Sequence, residues 1–132
     1  MVIALGSNLG DRALTLRRAV SSLGEVMRVV RISRVHETEP VDAPAGSPPF
    51  FNMVVAGYTR LAPLALLDAL QAIELRLGRR RGARNAPRTI DLDLILYSSR
   101  TMRSARLTLP HPRYRERAFV MEPLTELALL SM

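Results

Sequence analysis

Strand-like and helix-like segments alternate along this chain in the order strand, helix, strand, strand, helix, strand, and further elements follow. That order predicts an α+β sandwich of ferredoxin-like type, an antiparallel sheet with helices packed on one face and extra C-terminal elements. A hydrophobic content of 48% over 132 residues supports the prediction, because it is enough to bury a core as one domain spanning 1–132. The sequence contains no internal repeat, low-complexity tract or linker that would divide it.

Each element has its own signal. Val2 to Leu5 is a short apolar run, read as a buried strand. Gly6 to Asp11 follows as a tight turn, with Asn8 or Asp11 capping a helix. Ala13, Leu16, Val20 and Leu23 then recur at helical spacing until Gly24. Val26 to Thr38 reads as one long strand whose alternation shifts near Val29 and Val30, the mark of a bulge. Four prolines and a glycine between Thr38 and Pro49 exclude a central strand or a helix, and a loop of that length suits a binding loop or lid.

From Phe50 to Arg60 strand character returns, with Phe51, Met53 and Val55 on one face and Phe50, Asn52 and Val54 on the other. Pro63 opens a second helix whose buried stripe is Leu66, Leu70, Ile73 and Leu77, ending at Gly78. Asp68, Gln71 and Glu74 line another side, and the pattern alone makes Gln71 and Glu74 solvent-facing. After a further strand, Arg106 to Leu109 is a short extended piece closed by Pro110-His111-Pro112. A last helical region with Ala118, Phe119, Met121, Leu124 and Leu127 is expected to be interrupted at Pro123.

The chemistry concentrates between Leu77 and Tyr97. A loop with Arg79, Arg80, Arg81, Arg84 and Arg88 runs into a strand in which Thr89, Asp91, Asp93 and Ile95 share one face. Ile90, Leu92, Leu94 and Leu96 share the other. The α carbons of the two aspartates are then roughly 6.6 Å apart, a spacing at which two carboxylates can share one cation or bridge two. Beside so many guanidinium groups, a Mg²⁺-coordinated polyphosphate fits: hard cations take carboxylate, phosphate and water oxygens, and arginines bind the remaining phosphate oxygens in pairs.

Composition removes other chemistries. Without cysteine there is no disulfide, thiolate metal site or cysteine nucleophile. Every one of the 19 basic residues is arginine, which excludes a Schiff base, a P-loop lysine or a lysine general base. His36 and His111, the two histidines, show neither zinc-ligand spacing nor a triad arrangement. His111, between two prolines, is read either as a structural hydrogen-bonding residue or as a phosphate contact beside Arg106 and Arg117. A net charge of +7 suits nucleic acid as well as a nucleotide, but 5% aromatic residues and no tryptophan weigh against RNA stacking. No segment reaches the length of a membrane span and the N-terminus lacks a signal-peptide pattern, so a cytoplasmic protein is expected.

ALGSNLGD, SRVHETEPV, FFNMVV, IELRLGRRR, PRTIDLDLILY and LTLPHPRYRERAFVMEPL occur in this order over nearly the whole chain. Together they resemble the 6-hydroxymethyl-7,8-dihydropterin pyrophosphokinases of folate biosynthesis. The resemblance implies transfer of pyrophosphate from ATP to the pterin hydroxymethyl group, with two Mg²⁺ ions on Asp91 and Asp93. It further implies that Arg79 and Arg88 clamp the polyphosphate, with Arg81 a further nucleotide contact. Gln71, Glu74, Leu94, Arg106, Thr108, His111 and Arg117 match the remaining nucleotide-site positions, and Thr38, Val41, Phe50, Asn52 and Phe119 match the pterin pocket. In that reading Phe50 and Phe119 sandwich the flat ring while Asn52 bonds its edge.

Three features depart from the family pattern. Asn85-Ala86 precede Pro87 where a tryptophan and a glycine are common, Pro112 replaces a frequent aromatic, and many members continue beyond the equivalent of Met132. ATP and the dihydropterin are the implied partners of a monomer or weak dimer, with no nucleic acid and no membrane. A basic ferredoxin-like module binding RNA or nucleotides without catalysis is the alternative, and an ordinary kinase moving only the γ phosphate a second one.

Overall fold

The computed structural model describes residues 1–8, 10–39, 46, 49–78 and 90–130, with side chains up to Leu127 in the last helix. Its elements are β1 (Val2–Ser7), α1 (Arg12–Leu23), β2 (Arg28–Ile32), β3 (His36–Thr38), β4 (Phe50–Tyr58), α2 (Pro63–Arg76) and β5 (Asp91–Leu96). Beyond them come β6 (Met102–Arg103), β7 (Thr108–Leu109), a 3-10 turn (Tyr114–Glu116) and α3 (Ala118–Leu130). The main sheet is antiparallel with strand order β2-β4-β1-β5, the order of a split βαβ sandwich, and β6 and β7 form a separate two-stranded ribbon.

The expected single strand from Val26 to Thr38 is two strands on one edge of β4. β2 pairs with its far half and β3 with its near half, because β1 already occupies the opposite edge. The shift in alternation is a real irregularity between Val29 and Arg31. Between the two strands Ser33 keeps contact with β4: its N–H donates to the Val54 carbonyl at 3.0 Å, and its Oγ accepts the Val54 N–H at 2.9 Å.

Asp11 caps α1 by accepting the Leu14 N–H at 3.1 Å. The turn before it is shorter than expected, since Gly6 and Ser7 belong to β1. Leu16, Ala19 and Leu23 form the buried face of α1, whereas Ala13, expected there, is exposed. In α2 Leu66, Leu70 and Ile73 are buried as the stripe predicts, each contributing about 1.5–3 kcal/mol, whereas Leu77, its last expected member, is the C-cap and only half-buried. Gly78, with φ +97°, ends that segment in the left-handed conformation.

These two helices cover one face of the sheet, where Ile3, Leu5, Met53, Val55, Leu92 and Leu94 meet them. The opposite face also carries a helix, which corrects the one-sided expectation: Val120 and Leu127 of α3 pack on Ala4, Val54 and Ile95. Pro123 does not interrupt α3, which runs through it. β1 is thus buried on both sides, and this explains why it reads as an unbroken apolar run. A register shift between Val2 and Ile3 against β5 turns Leu96 to the α3 side, against the strict alternation of the sequence reading.

Candidate active site

What else the sheet face under α3 carries follows from register, because residues directly opposite one another in an antiparallel pair project to the same side. One row across the sheet is His36, Asn52, Gly6 and Asp91; the next contains Val54, Ala4 and Asp93. Thr38 and Phe50 extend the surface on the β3 side. A single sheet face therefore presents the two carboxylates together with Thr38, Phe50 and Asn52. Asp91 is half-buried and Asp93 exposed.

Asn52 is buried, and its amide donates to the Thr38 hydroxyl in a short hydrogen bond. Two residues expected in one pocket are thereby joined, and the direction of the bond leaves Oδ1 as the acceptor end of the amide. Gly6 makes this arrangement possible. A Cβ there would stand 2.9 Å from Asn52 Oδ1 and 3.5 Å from the Phe50 ring, closer than the amide position tolerates. The sequence reading placed Gly6 in a turn and missed this contact; its position opposite an Asn in an alternating strand was the available signal.

Glu74 corrects the pattern reading. Instead of facing solvent, this α2 residue is 5% exposed, and its carboxylate accepts the Leu92 N–H at 2.8 Å. Leu92 lies between Asp91 and Asp93, on the strand at the edge of the sheet, so Glu74 fixes the backbone that carries both. Gln71, by contrast, is exposed as expected. Arg106, in the β6–β7 turn, donates to Asp68 in a short contact and to Gln71 Oε1 at 3.4 Å. Leu94 has its side chain in the core, so a ligand could reach only its backbone.

A third group gathers where the chain returns to the sheet. After the cis Leu109–Pro110 bond, the His111 N–H donates to the Ile95 carbonyl at 2.9 Å, tying this segment to β5. Burial pushes the His111 pKa down, and the nearby Arg117 and Arg113 charges push it further. Its Nδ1 accepts the Arg113 N–H at 3.3 Å, so the neutral ring carries its proton on Nε2. Arg117 also lies 5.5 Å from the centre of the Phe119 ring, which packs at the border of the α3 cluster. Thr108 is in β7, paired with Arg103 of β6. Arg79, Arg81, Arg88 and Val41 lie outside the described residues, as does most of the Thr38–Pro49 loop.

The family model for 7,8-dihydro-6-hydroxymethylpterin-pyrophosphokinase matches residues 2–129. The chain belongs to this family. Among its relatives, a 2-amino-4-hydroxy-6-hydroxymethyldihydropteridine pyrophosphokinase of Bacillus subtilis is 44% identical over 127 residues, covering 95% of this chain and 75% of that protein. A Pseudomonas aeruginosa protein of the same name is 44% identical over 128 residues, with 96% and 78% covered. A mitochondrial folate synthesis bifunctional protein of Arabidopsis thaliana is 42% identical over 129 residues, which are 96% of this chain and 23% of that one.

For a pyrophosphokinase of this family the donor set on β5 has to suit a hard cation. Two carboxylates project from one strand face, and among the described residues no group of three or more His, Cys, Asp or Glu gathers around a common point. Carboxylate oxygens suit Mg²⁺, which takes oxygen donors and completes its shell with phosphate and water oxygens, whereas zinc favours nitrogen and sulfur ligands. The residues present fit Mg²⁺.

Proposed function

We propose that this chain transfers the pyrophosphoryl group of ATP to the hydroxymethyl oxygen of 6-hydroxymethyl-7,8-dihydropterin, releasing AMP, as a step of folate biosynthesis. The observation that carries the reading is the common sheet face of Asp91, Asp93, Asn52, Thr38 and Phe50 in a chain of this family. One face then supports both halves of a two-substrate reaction.

Phe50 and Phe119 flank the flat pterin, and Asn52, oriented by Thr38, bonds its edge. Gln71, Arg106, Thr108, His111 and Arg117 bind the nucleotide, with the Nε2–H of neutral His111 donating to a phosphate oxygen and Arg117 pairing with the same charge. Arg79, Arg81 and Arg88 supply further guanidinium groups to the polyphosphate. Asp91 and Asp93 would hold Mg²⁺, two ions in the reading adopted here, which neutralises polyphosphate charge when bound. The hydroxymethyl oxygen forms a bond to the β phosphorus, the bond from that phosphorus to the α–β bridging oxygen breaks, AMP departs and the hydroxyl proton is lost. Catalysis is mainly positioning and charge compensation. We assign the protein to the cytoplasm as a monomer or weak dimer; no described helix is long and apolar enough to cross a membrane.

Incubation with ATP, Mg²⁺ and the dihydropterin, followed by chromatography of the nucleotides, tests the reading. Substrate-dependent AMP is expected, and Asp93→Asn should lower its formation by about 10²-fold or more while the fold persists. ADP as the product would mean transfer of one phosphoryl group and would overturn the proposal.

A further inference from the structure

The first helical residue, Arg12, makes two contacts that the pyrophosphokinase site described above does not use. Its guanidinium donates to the Pro49 carbonyl at 2.8 Å, and its Cζ stands 4.1 Å from the centre of the Phe51 ring. Pro49 and Phe51 are the neighbours of Phe50, and Arg12 grips the chain on both sides of that residue.

The need for such a grip follows from the sheet. β1 pairs with β4 only as far as Ser7 opposite Phe51, after which the chain turns towards α1. Among the described residues, Phe50 at the start of β4 pairs with β3 alone, where Thr38 stands opposite it. The partly buried Pro49 carbonyl lies outside the described strands and needs a donor of its own, and Arg12 supplies a charged one. The flat guanidinium also lies against Phe51, which packs on the core side of the sheet, while Phe50 projects to the opposite side with Asn52. Position is set by the start of the helix: the Asp11 cap fixes where α1 begins and hence where Arg12 leaves it.

We propose that Arg12 is a positioning residue for the pterin subsite, holding the Pro49–Phe51 backbone so that Phe50 stands ready as one wall of that pocket. The proposal rests on the reading of Phe50 as a pterin contact. It makes Arg12 selective, acting on the pterin and not on the nucleotide, whose proposed contacts among the described residues lie on α2, β5 and the segment from Arg106 to Arg117.

Steady-state kinetics of Arg12→Met and Arg12→Lys with both substrates varied, alongside thermal unfolding, decide the matter. Arg12→Met keeps an apolar stem against Phe51 but loses the donor. It should raise the KM for the dihydropterin by about tenfold, equivalent to about 1.4 kcal/mol, with the KM for ATP and the saturated kcat within about twofold of wild type. Arg12→Lys keeps a donor without the flat stacking surface and should fall between the two, and it also serves as the folded variant if methionine is not tolerated. Equal increases in both KM values, a loss confined to kcat, or an effect explained by the unfolded fraction alone would assign Arg12 a general structural role and overturn the proposal. Phe50→Ala separates the two levels of argument. If it abolishes pterin binding while Arg12→Met binds normally, only the role of Arg12 fails; if Phe50→Ala binds pterin as wild type does, the pocket reading fails and this proposal falls with it.

Discussion

His111 is neutral at neutral pH for a structural reason, and that has a measurable sign. Burial and the charges of Arg117 and Arg113 hold its folded pKa below the ordinary histidine value of 6.5. The unfolded chain therefore binds a proton here before the folded one does, and stability contributed by the neutral ring is present above the unfolded pKa and lost as pH falls through the depressed folded value. Wild-type protein should lose more stability between about pH 7 and pH 5 than His111→Asn, followed by urea unfolding at each pH; parallel curves would show that the ring titrates equally in both states. The Pro-His-Pro context made this residue conspicuous in the sequence, but its two open readings were structural bond and phosphate contact. The structure supplies the first through Ile95 and Arg113, and leaves Nε2–H as the donor that the second requires. Gly6 was less legible. Its value lies in an absent side chain beneath Asn52, and an absent atom gives no periodic signal.

At the scale of elements, the contact between α2 and β5 is the one on which the proposed metal site depends. β5 is an edge strand, and edge strands leave backbone donors without a neighbouring ladder. Glu74 answers one of them, the Leu92 N–H between the two aspartates. Glu74→Ala should cost about 1–3 kcal/mol by urea unfolding, the range for a buried donor deprived of its partner. Glu74→Gln keeps an acceptor and should cost less; it should also retain more turnover, because Asp91 and Asp93 stay in place. Equal losses for both variants would indicate that the charge, and not the tie to Leu92, is what matters. Helical periodicity places Glu74 on a face but cannot reveal that this face abuts a strand edge, which is why the pattern reading sent it to solvent. The same blindness applies to α3. Its apolar residues mark a helix that must be buried, yet nothing in the period says which side of the sheet receives it. β1 carried the missing clue, because a strand apolar on both faces needs cover on both. The bulge near Val29 was legible because it disturbs an alternation, whereas the break at Ser33 was not, since that residue goes on pairing with β4 through its own hydroxyl.

For the whole molecule, the order of elements was readable because each helix and strand announces its own period, and the connections then admit few antiparallel arrangements. Charge was readable as well: twelve of the nineteen arginines fall between Arg76 and Arg117, with Asp91, Asp93 and Glu116 as the acids of that stretch. Such an imbalance creates a field that acts before any contact forms. It acts unequally on the two proposed substrates, because Mg-ATP keeps net negative charge whereas the dihydropterin is neutral. Raising monovalent salt from about 0.05 M to about 0.5 M shortens the screening length from above 10 Å to below 5 Å. The apparent affinity for Mg-ATP, measured by titration with a non-hydrolysable analogue, should then weaken several-fold. The affinity of the nucleotide-saturated protein for the dihydropterin should change little, since its pocket is built from rings, a hydroxyl and an amide. Oligonucleotides provide the contrast: a basic RNA-binding module would hold them with a steep log-log salt slope and without need of Mg²⁺. Tight, Mg²⁺-independent oligonucleotide binding that competes with ATP would turn the arginine-rich stretch into a nucleic-acid surface. Salt-sensitive nucleotide binding beside salt-insensitive pterin binding would instead fit one face divided between an electrostatic half and a stacking half.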